Sequence, residues 1–285
     1  MIIIYIIAGI VLLMLILFGL MIRGYGNSPR PHKVSPGTFD IACQEVRFPT
    51  KNNRMLYGWW MPANSKCEKG SPTIIMVHGW NRNLERYVPY IKRLQGKGYN
   101  LFAFDSRNHG SSDKDGYSSM LKFAEDIFAA INFSVKQPCV DKNKTSVIGL
   151  SIGGAATIYA SAQDKRIKKA IAIGAFAHPY DLMFAEFRKR KVPSFLTKWF
   201  LNYVQFRIST SFNEIAPVNN IKNSKAEILL IHGTDDNVVP YEDAVKLKNA
   251  AGNAKVKLLT LNGSGHSDCH EHPEFWENVE SFLKY

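Results

Sequence analysis

The chemistry-bearing residues of this 285-residue chain sit just beyond short apolar runs. Ser151 lies in Gly149-Leu150-Ser151-Ile152-Gly153, directly after Lys144-Thr145-Ser146-Val147-Ile148 and before the small residues Gly154-Ala155-Ala156. Strand, tight turn and helix in that order form a bend that can thrust a serine hydroxyl outward. Side chains at 149 and 153 would collide where the strand and the helix meet. A glycine-rich turn with an incidental serine has the same letters, so the pattern needs partners. A hydroxyl becomes a nucleophile when an imidazole takes its proton, and the imidazole needs a carboxylate to fix its tautomer. His266 follows the apolar run 256–261, and the adjacent carboxylates Asp235 and Asp236 follow the run 226–231. Serine, acid and base in that chain order could carry out acyl transfer through a covalent intermediate. A competing use exists for the last loop: His266, Asp268, Cys269, His270 and His272 are also side-chain types that bind zinc.

These residues need a frame that gathers them. Alternating or buried apolar runs predict strands over 41–48, 55–61, 73–77, 100–104, 144–148, 168–173, 226–231 and 256–261. The first two form a hairpin across Lys51-Asn52-Asn53-Arg54. Helical spacing falls between later strands, at 84–94, 120–135, after Ser151 and at 273–283. Strand and helix in alternation imply parallel pairing with right-handed crossovers, and ligands of such sheets bind beyond the carboxyl ends of the strands. His78, Asp105 and Ser151 therefore share one edge with the carboxylates and His266. The stretch from about Ala175 to Asn223 is too long for a simple crossover and reads as a cap. It mixes Phe184, Phe187, Phe195, Trp199, Phe200, Tyr203 and Phe206 with the basic run Arg188-Lys189-Arg190-Lys191.

The chain begins with a segment of another kind. Residues 1–22 carry no charged side chain, and roughly 20 helical residues span the ~30 Å hydrocarbon core of a bilayer. Nothing basic precedes the run and no Ala-x-Ala exit follows, so it reads as a retained transmembrane anchor and not a cleaved signal. Residues 23–38 are proline-rich and polar and read as a tether, leaving one large domain over 39–285. Arg23, Arg30 and Lys33 follow the span, which favours a cytoplasmic domain. A composition of 46% hydrophobic and 21% charged residues is that of a globular protein. The formal net charge of +12 comes without a zinc-finger spacing or an RNP motif, so an anionic membrane surface fits it better than nucleic acid. Cys43, Cys67, Cys139 and Cys269 are scattered, without metal spacing or the density of a disulfide scaffold.

Taken together, the motifs resemble the α/β-hydrolase superfamily from about Phe39 onward. They are His78-Gly79, the Asp-x-Arg-x-His-Gly-x-Ser loop from Asp105, the turn at Ser151, the His-Gly-x-x-Asp-x-x-Val-Pro segment from His232, and Gly263-Ser264-Gly265-His266. Within that superfamily the chain is similar to membrane-anchored serine hydrolases of the Bem46-like type and to lysophospholipase- or esterase-like proteins. The resemblance implies an α/β-hydrolase fold: a mostly parallel central sheet flanked by helices, with a cap insertion and an N-terminal transmembrane helix. It places the nucleophile at Ser151, the acid at Asp236 in preference to Asp235, and the base at His266. It draws the oxyanion hole from the backbone N–H groups of Trp80 and Ile152. The extended Gly-Gly-Gly run of some lipases is missing, which leaves the geometry at Trp80 open. His78, Asp105, Arg107 and His109 are expected to support the surrounding loops. The implied activity is cleavage of an ester, thioester or related acyl bond in a small-molecule or lipid substrate, with no metal or organic cofactor. A peptidase with the same triad, or a silent fold used as a binding module, are the alternatives.

Overall fold

The computed structural model describes residues 1–24, 30–38, 43–63, 70–138 and 140–285. Eight strands form one sheet: β1 (Gln44–Thr50), β2 (Arg54–Met61), β3 (Ser71–Val77), β4 (Asn100–Asp105), β5 (Val140–Leu150), β6 (Ile167–Ile173), β7 (Glu227–Gly233) and β8 (Val256–Leu261). Their spatial order is β1-β2-β4-β3-β5-β6-β7-β8. β2 runs antiparallel to both β1 and β4, and every later neighbour is parallel. This is the α/β-hydrolase fold that the resemblance implies, with the parallel pairing expected from the strand–helix alternation. The expected first strand starts later than its apolar run suggested, and residues 39–42 lie outside the described ones.

Strand periodicity explains the two cores. Ile75, Val77, Val147, Ala170, Ala172, Ile228 and Leu230 point to one face; Ile74, Met76, Ile148, Ile171, Ile173, Leu229 and Ile231 point to the other. On the first face lie α3 (Met120–Ser134), α4 (Ile152–Gln163) and α9 (Tyr241–Asn249); on the second lie α2 (Val88–Leu94) and α10 (Pro273–Leu283). The central strands are buried on both sides, as a parallel sheet requires.

The insertion after β6 forms α5 (Pro179–Lys189), α6 (Ser194–Ile208), α7 (Phe212–Ile215) and α8 (Pro217–Asn220). Its aromatics divide. Phe200 is buried, and Phe184, Phe187 and Tyr203 are half-buried against the core, whereas Phe195, Trp199 and Phe206 are 64%, 54% and 79% exposed. Arg188, Lys189, Arg190 and Lys191 are all exposed.

At the N-terminus, α1 (Ile2–Gly24) includes the apolar stretch Ile2–Met21, long and apolar enough to cross a membrane by length and composition. Its Phe18 ring packs edge-on against Phe200, with centroids 5.2 Å apart. Part of the expected tether is in contact with the domain. Residues 30–34 lie on the domain, with His32 bonded to Asp105 and Val34 packed against the second core. Pro31 lies in a stretch without helix or strand, and Pro36 opens a short 3-10 turn, Pro36–Thr38.

Candidate active site

The turn after β5 is tight because its glycines leave no alternative. A Cβ at Gly149 would land on the Gly153 carbonyl and the Thr157 hydroxyl, and one at Gly153 would land on the carbonyls of Val77 and His78. Strand β5, helix α4 and the end of β3 therefore meet in backbone contact. Ser151 occupies the bend at φ 55°, ψ −119°, a conformation that costs on the order of 1–3 kcal/mol for a residue with a side chain. Its N–H donates to Ile173 O at 2.8 Å and its carbonyl accepts from Ala155 N at 3.0 Å, so the strain is held from both sides. Ile152 opens α4, where the first N–H groups of a helix have no intrahelical acceptor. The His78-Gly79-Trp80 loop comes up against the same bend: a Cβ at Gly79 would lie 3.3 Å from Ser151 Cβ.

Two strands further along, His266 and Asp236 meet. His266 Nδ1 lies 2.7 Å from Asp236 Oδ2, and the other carboxylate oxygen accepts the N–H groups of Val238 and Val239 at 2.9 and 2.8 Å. Asp235 is turned away, accepting from the Thr234 hydroxyl at 2.9 Å. Burial by itself would raise the Asp236 carboxyl. The hydrogen bonds from His232, His266 and Val239 N–H, with the charge of His266, more than offset it and hold the carboxyl well below the usual carboxylate range. His232 Nε2 stands 3.3 Å from Asp236 Oδ2 while bonding Val239 O at 2.9 Å, so it braces the loop that carries Asp236.

Gly174 relates this pair to the serine. It follows β6, whose Ile173 pairs with Leu150 on one side and Ile231 on the other. A Cβ on Gly174 would lie 3.2 Å from the His266 ring and 3.4 Å from Asp236 Oδ2. The Asp236–His266 pair thus covers the end of β6, and Ser151 stands at the end of the adjacent strand. Among the described residues no hydrogen bond joins Ser151 to His266.

The support residues form a buried frame behind the serine turn. His78 Nδ1–H donates to Gly79 O at 2.7 Å, and its Nε2 accepts Ser106 N–H at 3.0 Å. Complete burial lowers its pKa to about 3, so it stays neutral and acts as a strut. His109 likewise donates to Arg107 O at 2.9 Å and accepts Asn81 N–H at 3.3 Å. Arg107 is buried and bonds Asp126, Glu125 and Asp115 at 2.8, 2.5 and 3.0 Å. Burial pushes the Asp126 carboxyl up to about 6 against the pull of Arg107.

The residues that suggested a metal site have other occupations. His266 faces Asp236, Asp268 accepts Gly265 N–H at 2.7 Å, the Cys269 thiol reaches Gly265 O, His270 stacks on Tyr90, and His272 caps α10 through Glu274 N–H. Among the described residues no group of three or more His, Cys, Asp or Glu side chains could hold a metal ion. Sequence reasoning missed two contributors. His232 was legible only as part of its motif; Gly174 carried no signal, since its importance comes from what the fold brings over it.

Comparison with known proteins agrees with this architecture. The model of the prolyl oligopeptidase family (Peptidase S9) matches residues 120–285. The chain is 28% identical over 225 residues to the uncharacterized protein YfhR of Escherichia coli O157:H7, covering 78% of this chain and 73% of that protein. It is 26% identical over 204 residues to the thiohydrolase aneE of Aspergillus aculeatus, covering 68% and 61% of the two chains. An esterase of Pyrococcus furiosus superposes with a TM-score of 0.72 at 23% identity, over 90% of this chain and 96% of that one. At that identity the superposition establishes the shared fold.

Proposed function

The chain belongs to the prolyl oligopeptidase family of α/β-hydrolases, and from that premise we propose that it cleaves an ester or thioester through an acyl-enzyme on Ser151. The observation that carries the proposal is the Asp236–His266 pair, 2.7 Å apart, set over the end of β6 beside the strained serine turn. In this reading Ser151 Oγ attacks the acyl carbonyl while its proton moves to His266 Nε2. The carboxylate of Asp236 holds Nδ1–H and stabilises the imidazolium. The developing oxyanion takes the N–H groups of Ile152 and Trp80, each worth about 3–4 kcal/mol in comparable sites. His266 then returns the proton to the leaving alcohol or thiol, and a water deprotonated by His266 attacks the acyl-enzyme to release acid and free serine. No step calls for a metal or organic cofactor.

The names of the relatives support an ester or thioester substrate, since one is a thiohydrolase and a structural neighbour is an esterase. Bem46-like and lysophospholipase-like activity on lipid acyl groups is part of the same proposal, supported by the apolar helix α1 beside the aromatic cap. We assign α1 as a single-pass anchor, with the domain on the cytoplasmic side and the basic cap residues facing anionic lipid. A second reading, a peptidase, is favoured by the description of the matching family. Full-length protein in detergent, assayed against matched acyl esters, thioesters and aminoacyl anilides, separates the two. Turnover of the esters or thioesters with inert anilides is expected; preferential cleavage of the anilides would replace the esterase reading with the peptidase one.

A further inference from the structure

We propose that residues 30–34, between the apolar helix and the domain, are a strut for the loop that presents Trp80, with His32 a positioning residue that acts through Asp105. The inference rests on the proposed hydrolase reading for its effect on rate, though its structural part stands alone.

Asp105 ends β4 and is fully buried. A buried carboxylate persists only when its oxygens are satisfied, and those of Asp105 tie three separate segments together. Oδ1 accepts Leu84 N–H at 2.8 Å, and Oδ2 accepts Ser111 N–H at 2.8 Å and bonds His32 Nε2 at 2.9 Å. The imidazole is held on its other sides too. Nδ1 lies 3.5 Å from the Ser111 hydroxyl, and the ring sits 5.1 Å from that of Tyr57 and 6.1 Å from that of Trp59.

The backbone around His32 is fastened to the same loop. Arg30 O accepts Asn83 Nδ2 at 3.2 Å, and Glu85 accepts the N–H groups of both Lys33 and Val34. Asn83 in turn caps the Leu84–Tyr87 turn by accepting Glu85 N–H at 3.1 Å. Only Asn81, Arg82 and Asn83 separate Trp80 from Leu84. The loop that offers one of the two oxyanion donors is therefore pinned at its far end by a segment outside the hydrolase domain. A donor displaced by about 1 Å can lose a hundredfold in rate. Removing one contact of this strut is expected to cost about tenfold in kcat, less than the 10²–10³ that loss of an oxyanion donor costs.

The charged groups that act on His32 are Asp105 on β4, Glu85 in the following turn and Glu45 on β1. Burial would lower the pKa of the imidazole, but the bond to Asp105 and these three carboxylates raise it above its ordinary value. Buried His78 also feels the His32 charge. The ionic form of the clasp is therefore complete below the raised pKa and is lost as pH rises through it. This gives the wild type an alkaline decline in kcat separate from the acid limb set by the general base.

The test uses full-length protein in detergent with His32→Ala and His32→Gln, reading ester turnover against pH and amide hydrogen exchange at Leu84 and Ser111. Expected results are faster exchange at both amides in His32→Ala and a kcat about tenfold lower with KM nearly unchanged. His32→Gln, which keeps a donor toward Asp105, should recover most of the rate and lose the alkaline decline. Unchanged exchange in His32→Ala overturns the strut, and faster exchange with full kcat overturns its role in catalysis. Should the wild type turn over no substrate, the hydrolase reading fails and the exchange measurement still decides the strut.

Discussion

Replacing Asp236 with Asn separates the charge of the proposed acid from its shape. In the native loop one carboxylate oxygen takes the N–H groups of Val238 and Val239, and the other takes His266 Nδ1–H. An amide can satisfy these neighbours in two orientations. If its NH2 faced the backbone, two N–H donors would meet a donor and two bonds would be lost. If its NH2 faces His266, the conflict falls on His266 Nδ1–H and on the longer 3.3 Å contact of His232 Nε2, which keeps its bond to Val239 O, and the His266 imidazole resolves it by moving its proton from Nδ1 to Nε2. The cheaper orientation is thus the one that inactivates, because an Nε2 that carries a proton cannot receive the proton of Ser151. The expected loss in kcat is about ten-thousand-fold, or ~5.5 kcal/mol of barrier. Steady-state hydrolysis of a nitrophenyl ester measures it, with Asp235→Asn as the comparison and expected to stay within about threefold of wild type, as exposed substitutions do. Folding is checked in parallel. The native carboxyl sits well below its unfolded value, so it contributes stability above about pH 4 that is lost as pH falls toward the folded pKa. Asp236→Asn should therefore lower Tm at pH 7 and narrow the gap to wild type in acid. A folded Asp236→Asn protein within tenfold of wild-type kcat, or a large loss in Asp235→Asn, would refute the reasoning.

Two further outcomes follow from the frame and the N-terminus. Arg107→Ala leaves buried Asp126 without its guanidinium and should cost about 3–5 kcal/mol, read as a shift of the urea midpoint; a change below about 1 kcal/mol would mean that Asp126 is neutral in the native protein. Deleting residues 1–29 should move the protein from the membrane fraction to the soluble one with the hydrolase site intact, whereas deleting 1–37 also removes His32 and should lower kcat by at least the His32→Ala factor. Equal activity in the two truncations would argue against the contacts of residues 30–34.

Much of the fold was legible because its signals are local. Runs such as Ile74-Ile75-Met76-Val77 and Ile228-Leu229-Leu230-Ile231 are apolar on both faces, which only a sheet covered on both sides requires. Gly149 and Gly153 announced the serine turn, and the structure shows the backbone contacts that demand them. What stayed hidden is non-local. Nothing near His32 indicates a partner at position 105, since a histidine among prolines reads as solvated until the fold brings a buried carboxylate to it. Helix α9 also went unread, since its polar face outweighs Ala244 and Leu247, which pack it onto the sheet. In the cap, Trp199 and Phe200 are neighbours in the sequence, yet Phe200 is buried against Phe187 and Phe18 while Trp199 is exposed beside α1. A helix places adjacent residues about 100° apart, and composition carries no information about which of them faces inward.

The central claim is that Ser151 is an activated nucleophile, and a fluorophosphonate probe tests it most directly, because phosphonylation requires a deprotonated serine and an oxyanion hole in the same place. Full-length protein should take up one equivalent, with the adduct mapped by mass spectrometry to the peptide that contains Ser151. Ser151→Ala should take up none, and Asp236→Asn should label slower by orders of magnitude. A folded wild-type protein that remains unlabelled, or an adduct on a residue other than Ser151, would contradict the account.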